Sequence, residues 1–164
     1  MEKMNKNGFT LLELMIVIAI IAAMAAIGMP NFFAWLPERR LDAGAQDVLQ
    51  GLQKARTRAI MTNRNTVVSY NIGADSFTAF VDDGQGVGGV AEDGVLNGTE
   101  EVIVSQNMPP SIDLISTGFT ANTIAFDNRG IPLNNNVGLV TLQNGSGNNA
   151  VVQLYLTGHG TIIQ

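Results

Sequence analysis

Few side chains in this sequence have the type and spacing needed for covalent chemistry. There is one histidine and no cysteine, so triads built on His or Cys nucleophiles have almost nothing to draw on. His159 stands between Gly158 and Gly160 and reads as a turn residue. Asp82 and Asp83 are neighbours, and adjacent side chains on an extended chain point to opposite sides, a poor geometry for an acid–base dyad. No phosphate-cradling glycine loop and no zinc-type ligand spacing occurs. What remains is one acidic, glycine-rich stretch from Asp82 to Glu101. Within it Asp82, Asp83, Glu92 and Asp93 could offer oxygens to Ca2+, which takes about six to eight, although their spacing is not that of an EF-hand loop. The same stretch could equally be solvated, or form a contact surface for another subunit. The residues suggest neither an enzyme nor a cofactor.

The carboxylate in the most unusual setting is Glu13. From Phe9 to Met29 there are 21 residues, of which only Thr10 and Glu13 are clearly polar. At about 1.5 Å per helical residue the run covers roughly 31 Å, enough to cross the hydrocarbon core of a bilayer. Lys3 and Lys6 precede it and would hold the N-terminus on the cytoplasmic side. An ionisable group in such a segment is costly in lipid and by default marks a function with a partner.

The stretch Gly8-Phe9-Thr10-Leu11-Leu12-Glu13, with Lys6 before it and the apolar run after it, resembles the type IV prepilin signal. The resemblance implies that a membrane prepilin peptidase cuts between Gly8 and Phe9 and methylates the new amine of Phe9. It also implies that Glu13, fifth after the cut, pairs with the N-terminal amine of a neighbouring subunit as a filament grows. Two charges held in an apolar helical bundle each need the other, and breaking such a pair typically costs ~3–5 kcal/mol. Two plainer readings compete. Ala23-Met24-Ala25 could be the cleavage site of an ordinary secretory signal, and the segment could be a simple membrane anchor. Neither needs Glu13.

The 164 residues suit one domain plus an anchor. Without residues 1–8 the chain loses Lys3, Lys6 and Glu2, leaving 9 − 2 = 7 basic and 14 − 1 = 13 acidic side chains, a net charge of −6. That balance argues against a dedicated nucleic-acid binder, whose affinity comes largely from clustered Lys and Arg.

Beyond Met29, Pro30 and Pro37 are expected to break or kink the helix, since proline removes an N–H and crowds the preceding turn. The prepilin resemblance also places a helix-breaking proline at Pro30. Between the prolines Phe32, Phe33, Trp35 and Leu36 form an aromatic cluster. It suits either the lipid–water interface or packing between helices of a filament. From Glu38 an apolar stripe of Leu41, Ala45, Val48, Leu49, Leu52, Ala55, Ala59 and Ile60 recurs every three or four residues. It predicts an amphipathic helix to about residue 62. Lys54, Arg56, Arg58 and Arg64 gather at its end, as a nucleic-acid patch or as solvated cations offsetting the helix dipole.

After Asn65 the pattern turns to period two. Strands are expected at Thr66–Ile72, Ser76–Val81, Glu101–Ser105, Ile112–Ser116, Thr123–Asp127, Val137–Gln143, Ala150–Leu156 and Thr161–Ile163. Gln143–Asn149 has the composition of a hairpin turn. The expected fold is α+β: a long N-terminal helix, apolar in its first half, with its amphipathic half packed on an antiparallel β-sandwich, in the lollipop form of the pilins. The corresponding segments are 1–8 (cleaved leader), 9–37 (membrane and assembly helix) and 38–164 (head).

Ala55-Arg56-Thr57-Arg58-Ala59-Ile60, followed by Asn65 and a β-branched strand, resembles a signature of the GspH/FimT group of minor pilins and pseudopilins. Phe126-Asp127-Asn128-Arg129-Gly130 is similar to a later element of the same group. The resemblance implies a minor subunit of a type IV pilus or a type II secretion pseudopilus. Its implied partners are the prepilin peptidase, other pilin subunits and an inner-membrane assembly platform, with the membrane itself before assembly. A major filament subunit is one alternative. A DNA-binding competence pilin of FimT type is another, but the Gly-Arg-x-Arg element of that type is replaced here by Gly158-His159-Gly160-Thr161.

Overall fold

The computed structural model describes residues 9–86 and 88–163, with the side chains of Pro30 and Asn31 excepted. Gly8 and the rest of the expected leader lie outside the described residues. The chain divides into two compact units, Met1–Leu36 and Pro37–Gln164.

One helix, α1, runs from Leu11 to Thr62. Thr10 caps its start: the Thr10 hydroxyl accepts the Glu13 N–H at 3.2 Å and the Thr10 carbonyl accepts that of Leu14 at 3.2 Å. Two donors of the first turn are thereby satisfied. At the other end Asn63 takes a left-handed conformation (φ 54°), and the Arg64 N–H closes back on the Ala59 carbonyl. Asparagine is among the few residues that tolerate this helix stop. Of the break or kink expected at Pro30 and Pro37, a full break does not occur, because α1 continues through both. Each proline deletes one N–H donor from a ladder that is continuous on either side, and a long helix absorbs that loss by local adjustment rather than by ending.

Within the second unit, α1 buries Leu41, Ala45, Val48, Leu52, Ala55 and Ala59. The expected stripe therefore faces the core, except that Leu49 is only partly buried and Ile60 is half exposed. Among the described residues eight strands follow: β1 (Thr66–Asn71), β2 (Ser76–Val81), β3 (Val102–Asn107), β4 (Ile112–Thr117), β5 (Thr123–Phe126), β6 (Leu139–Asn144), β7 (Asn149–Leu154) and β8 (Gly160–Ile163). They form two antiparallel four-stranded sheets, β3-β2-β1-β5 and β4-β6-β7-β8. Val68, Tyr70, Phe77, Ile124 and Phe126 of the first sheet share one core with Leu114, Val140, Leu142, Val152 and Leu154 of the second and with the helix stripe.

The chain changes sheet between β3 and β4, and Asp75 in the β1–β2 turn clamps that crossing. Its carbonyl accepts the Met108 N–H at 2.7 Å and its carboxylate accepts the Leu114 N–H at 2.8 Å. Tyr70 lies deep in the core, stacked on Phe119 with ring centroids 5.9 Å apart. Its hydroxyl has no protein partner, and burial raises its pKa. An unmatched buried hydroxyl costs stability, so Tyr70→Phe is expected to keep or raise the melting temperature, by up to about 1–3 kcal/mol of added stability. Thermal unfolding followed by circular dichroism checks this; a marked loss would mean that the hydroxyl is satisfied, for instance by a buried water.

Candidate assembly segment and head signature

Within the first unit, Leu11–Met29 presents an apolar surface on every side, with Glu13 as its one charged residue. From Leu11 to Met29 the mean hydropathy is 2.6 and none of the segment is buried. Phe9 is 83% exposed. A helix apolar all round requires a non-aqueous surrounding, either lipid or other helices. Glu13 occupies the first turn of this surface. With Thr10 at the cap, Glu13 is the third helical residue, where a carboxylate lies beside the positive end of the helix dipole. Helical side chains lean toward the N-terminus, so the carboxylate is directed toward the Phe9 end of the chain. Thr10 belongs to this arrangement although its role was not singled out from the sequence; the Thr-x-x-Glu spacing of a capping box was the available signal.

In the second unit, the two stretches that resemble family elements, around Arg56 and Gly130, meet the Gly158 turn at one arginine. Arg56 donates through Nε to the Gly130 carbonyl at 3.0 Å. A Cβ at Gly158 would lie 2.9 Å from that same Nε, and a Cβ at Gly130 would lie 2.9 Å from the Arg56 Cγ. Both glycines have positive φ, 73° in each case. The chain thus presses two turns onto the α1 arginine where only glycine fits. His159 sits in the second of these turns, with its carbonyl accepting the Tyr155 N–H.

The first turn is built by Asp127, whose carboxylate accepts the N–H groups of Arg129 and Ile131, both at 2.9 Å, and the Arg129 guanidinium. Partial burial pushes the Asp127 pKa up, but these hydrogen bonds and the arginine charge outweigh it and hold the pKa below its ordinary value of 3.8. A carboxylate depressed in the folded state contributes stability that is present above its unfolded pKa and lost as the pH falls through the folded one. Asp127→Asn is therefore expected to lower the melting temperature at neutral pH and to flatten its fall below about pH 4. Paired melting curves across that range check both effects.

The other cations of the expected solvated helix end, Lys54, Arg58 and Arg64, are exposed or half-exposed, and Arg58 and Arg64 also have acidic partners. Arg58 donates to Glu101 Oε1 at 2.7 Å, Arg64 lies 3.4 Å from Asp83, and Asn65 donates to Glu92 at 3.1 Å. The basic cluster and the acidic stretch, separate in the sequence, are partly each other's partners in the fold. No basic residue falls in the last turn of α1, so the dipole argument does not apply.

The acidic stretch also differs from a cation site. Asp82 is buried, and its two oxygens accept the N–H groups of Glu92 at 2.7 Å and Gly94 at 2.8 Å. Burial raises its pKa, the two N–H bonds lower it, and the nearby Glu100 and Asp93 charges raise it further; the net direction is up. Glu100 accepts from Gly84 and Asn97. Asp83 turns to the Gln85 N–H, and Asp93 turns to Val95 and Asn97. Asp82, Asp83, Glu92 and Asp93 thus spend their oxygens on the loop's own amides and on Asn65 and Arg64. Among the described residues no group of three or more His, Cys, Asp or Glu is placed to hold a metal ion. The possible calcium ligands Asp82, Asp83, Glu92 and Asp93 are instead each bonded to donors of the loop or its neighbours.

An N-terminal helix, apolar and then amphipathic, followed by two antiparallel sheets, defines a pilin-like chain. A model of the prokaryotic N-terminal methylation motif matches residues 3–29, and the model described as type II transport protein GspH matches residues 44–158. The chain belongs to the GspH family. A fimbrial protein of Pseudomonas aeruginosa is 30% identical over 114 residues, which is 68% of this chain and 68% of that protein. Among solved structures, the type IV minor pilin FimU of P. aeruginosa matches with a TM-score of 0.57 at 12% identity, over 77% of this chain and 90% of that one. The minor pseudopilin EpsH from the type 2 secretion system of Vibrio cholerae matches with a TM-score of 0.54 at 13% identity, over 76% and 96%. These two likenesses bear on the fold alone.

Proposed function

We propose that this chain is a minor structural subunit of a type IV pilus or a type II secretion pseudopilus. It is made as a prepilin, cut between Gly8 and Phe9 by the prepilin peptidase and methylated on Phe9. Before assembly it is held in the bacterial inner membrane by Leu11–Met29, with the N-terminus cytoplasmic and the head periplasmic. The assembly platform then moves it into a filament, where the same apolar surface packs against neighbouring subunits and Glu13 meets a neighbour's N-terminal amine.

The observation that carries this reading is the wholly exposed apolar surface of Leu11–Met29 with a single carboxylate in its first turn. Lipid and a helical bundle are the two surroundings that satisfy such a surface, and the carboxylate gives the bundle a specific partner to find. The minor role is supported by membership of the GspH family.

Gly8→Leu tests the first step. In cells with the peptidase the variant is expected to keep its leader, visible as a band heavier by about the mass of residues 1–8, and to be missing from filaments. Normal processing of that variant would show that the cut lies elsewhere.

A further inference from the structure

Just beyond the apolar span, α1 carries three exposed rings: Phe32 at 55%, Phe33 at 63% and Trp35 at 48%. Phe32 meets Phe33 edge-on at 6.0 Å and Trp35 at 6.4 Å. With about 100° between successive helical residues, the three rings span roughly half of the helix circumference. Along the axis they are confined to a band about 5–9 Å beyond Met29. The headgroup layer on one side of a hydrocarbon core of about 30 Å is itself roughly 5–8 Å deep. No Lys, Arg, Asp or Glu lies between Glu13 and Glu38, so nothing charged competes for that depth.

The rings are therefore broad in azimuth and narrow in depth. A neighbouring helix is met by a stripe along one face, whereas a lipid–water interface is planar and the same in every lateral direction. Tryptophan suits that layer because its ring is apolar and its indole N–H is a donor.

We propose that Phe32, Phe33 and Trp35 form an aromatic collar seated in the lipid headgroup layer on the head's side of the membrane, fixing the depth at which the unassembled subunit is stored. The collar rests on the reading that Leu11–Met29 spans a bilayer. It adds to that reading a defined resting depth, from which extraction must lift the rings.

Trp35 is the single tryptophan of the chain, so its fluorescence reports this site alone. The full chain would be reconstituted into phosphatidylcholine vesicles carrying bromine at either a shallow or a deep acyl position. Shallow bromine is expected to quench Trp35 severalfold more strongly than deep bromine. Acrylamide should quench it weakly, and neither value should change with the protein-to-lipid ratio. The Phe32→Ser, Phe33→Ser double variant should still float with vesicles but become severalfold more open to acrylamide. Flotation with Trp35 fully open to acrylamide would overturn the collar while leaving the span intact. Protection that grows with protein-to-lipid ratio would also overturn it, in favour of packing between helices. A chain that fails to float would remove the spanning reading, and the collar with it.

Discussion

A leucine at position 51 is expected to leave the head without a cooperative unfolding transition. Glycine inside a helix costs roughly 1 kcal/mol relative to alanine, so its place midway along the amphipathic part of α1 needs a reason. Phe77 of β2 supplies it. The ring lies directly on the helix backbone, and a Cβ at Gly51 would fall 2.9 Å from the Phe77 Cζ and closer still to another ring atom. Phe77 is itself buried and packed against Tyr70 with ring centroids 6.1 Å apart, so little room is left for it to retreat.

Overpacking of this kind typically costs about 1–3 kcal/mol. Gly51→Ala should therefore lower the melting temperature by several degrees despite its better helix propensity. The longer leucine adds atoms to a place that has none to spare, in a fold whose whole stability is on the order of 5–15 kcal/mol. Gly145→Ala is the control, because a Cβ there meets nothing within 4 Å. Phe77→Leu in the Gly51→Ala background should recover part of the loss, as expected for two residues that share one space. A Gly51→Ala chain that melts higher, by the full gain of about 1 kcal/mol in helix propensity, would mean that α1 does not approach β2 this closely.

Glu13→Ala is expected to give a chain that is folded, processed and almost missing from filaments. Every residue of the buried core lies at Leu41 or beyond, so residue 13 is not needed to fold the head. On the proposed function, the cut between Gly8 and Phe9 precedes residue 13 and should persist, and the variant would lose the partner for a neighbour's amine inside an apolar bundle. At ~3–5 kcal/mol for a broken buried pair, incorporation should fall by about a hundredfold or more. Filament content at the level of the unaltered chain would remove the pairing role from Glu13.

The strands were legible in the sequence because their side chains alternate. β1 was expected at Thr66–Ile72 and runs Thr66–Asn71, while β2 was expected at Ser76–Val81 and occupies that span. The helix end near residue 62 was legible too, since the apolar stripe stops there. Sheet membership was not legible. Period two fixes which side chains face inward but does not say that β3 and β4 separate into different sheets, a crossing at which Asp75 bonds the Leu114 N–H.

The partners of the arginines were not legible for a related reason. Local sequence shows Arg58 and Arg64 as helix-end cations, whereas their partners Glu101 and Asp83 come from the long β2–β3 connection. The same connection absorbs the carboxylates that looked like calcium ligands. The prolines do not end the helix, which is long enough to run through both. In the assembly segment, the apolar run and Glu13 were evident at once, while the Thr10 cap emerged only with the backbone in view.

The most direct test of the central claim is mass spectrometry of sheared surface filaments and of the membranes left behind. The account predicts a chain in the filament fraction that begins at N-methylated Phe9, at a few copies per hundred of the dominant pilin for a pilus subunit. For a pseudopilus subunit, the same processed form should appear in the membrane fraction. A chain that begins at Met1 in every fraction, or at a residue after Ala25 as an ordinary secretory signal would leave it, would contradict the account.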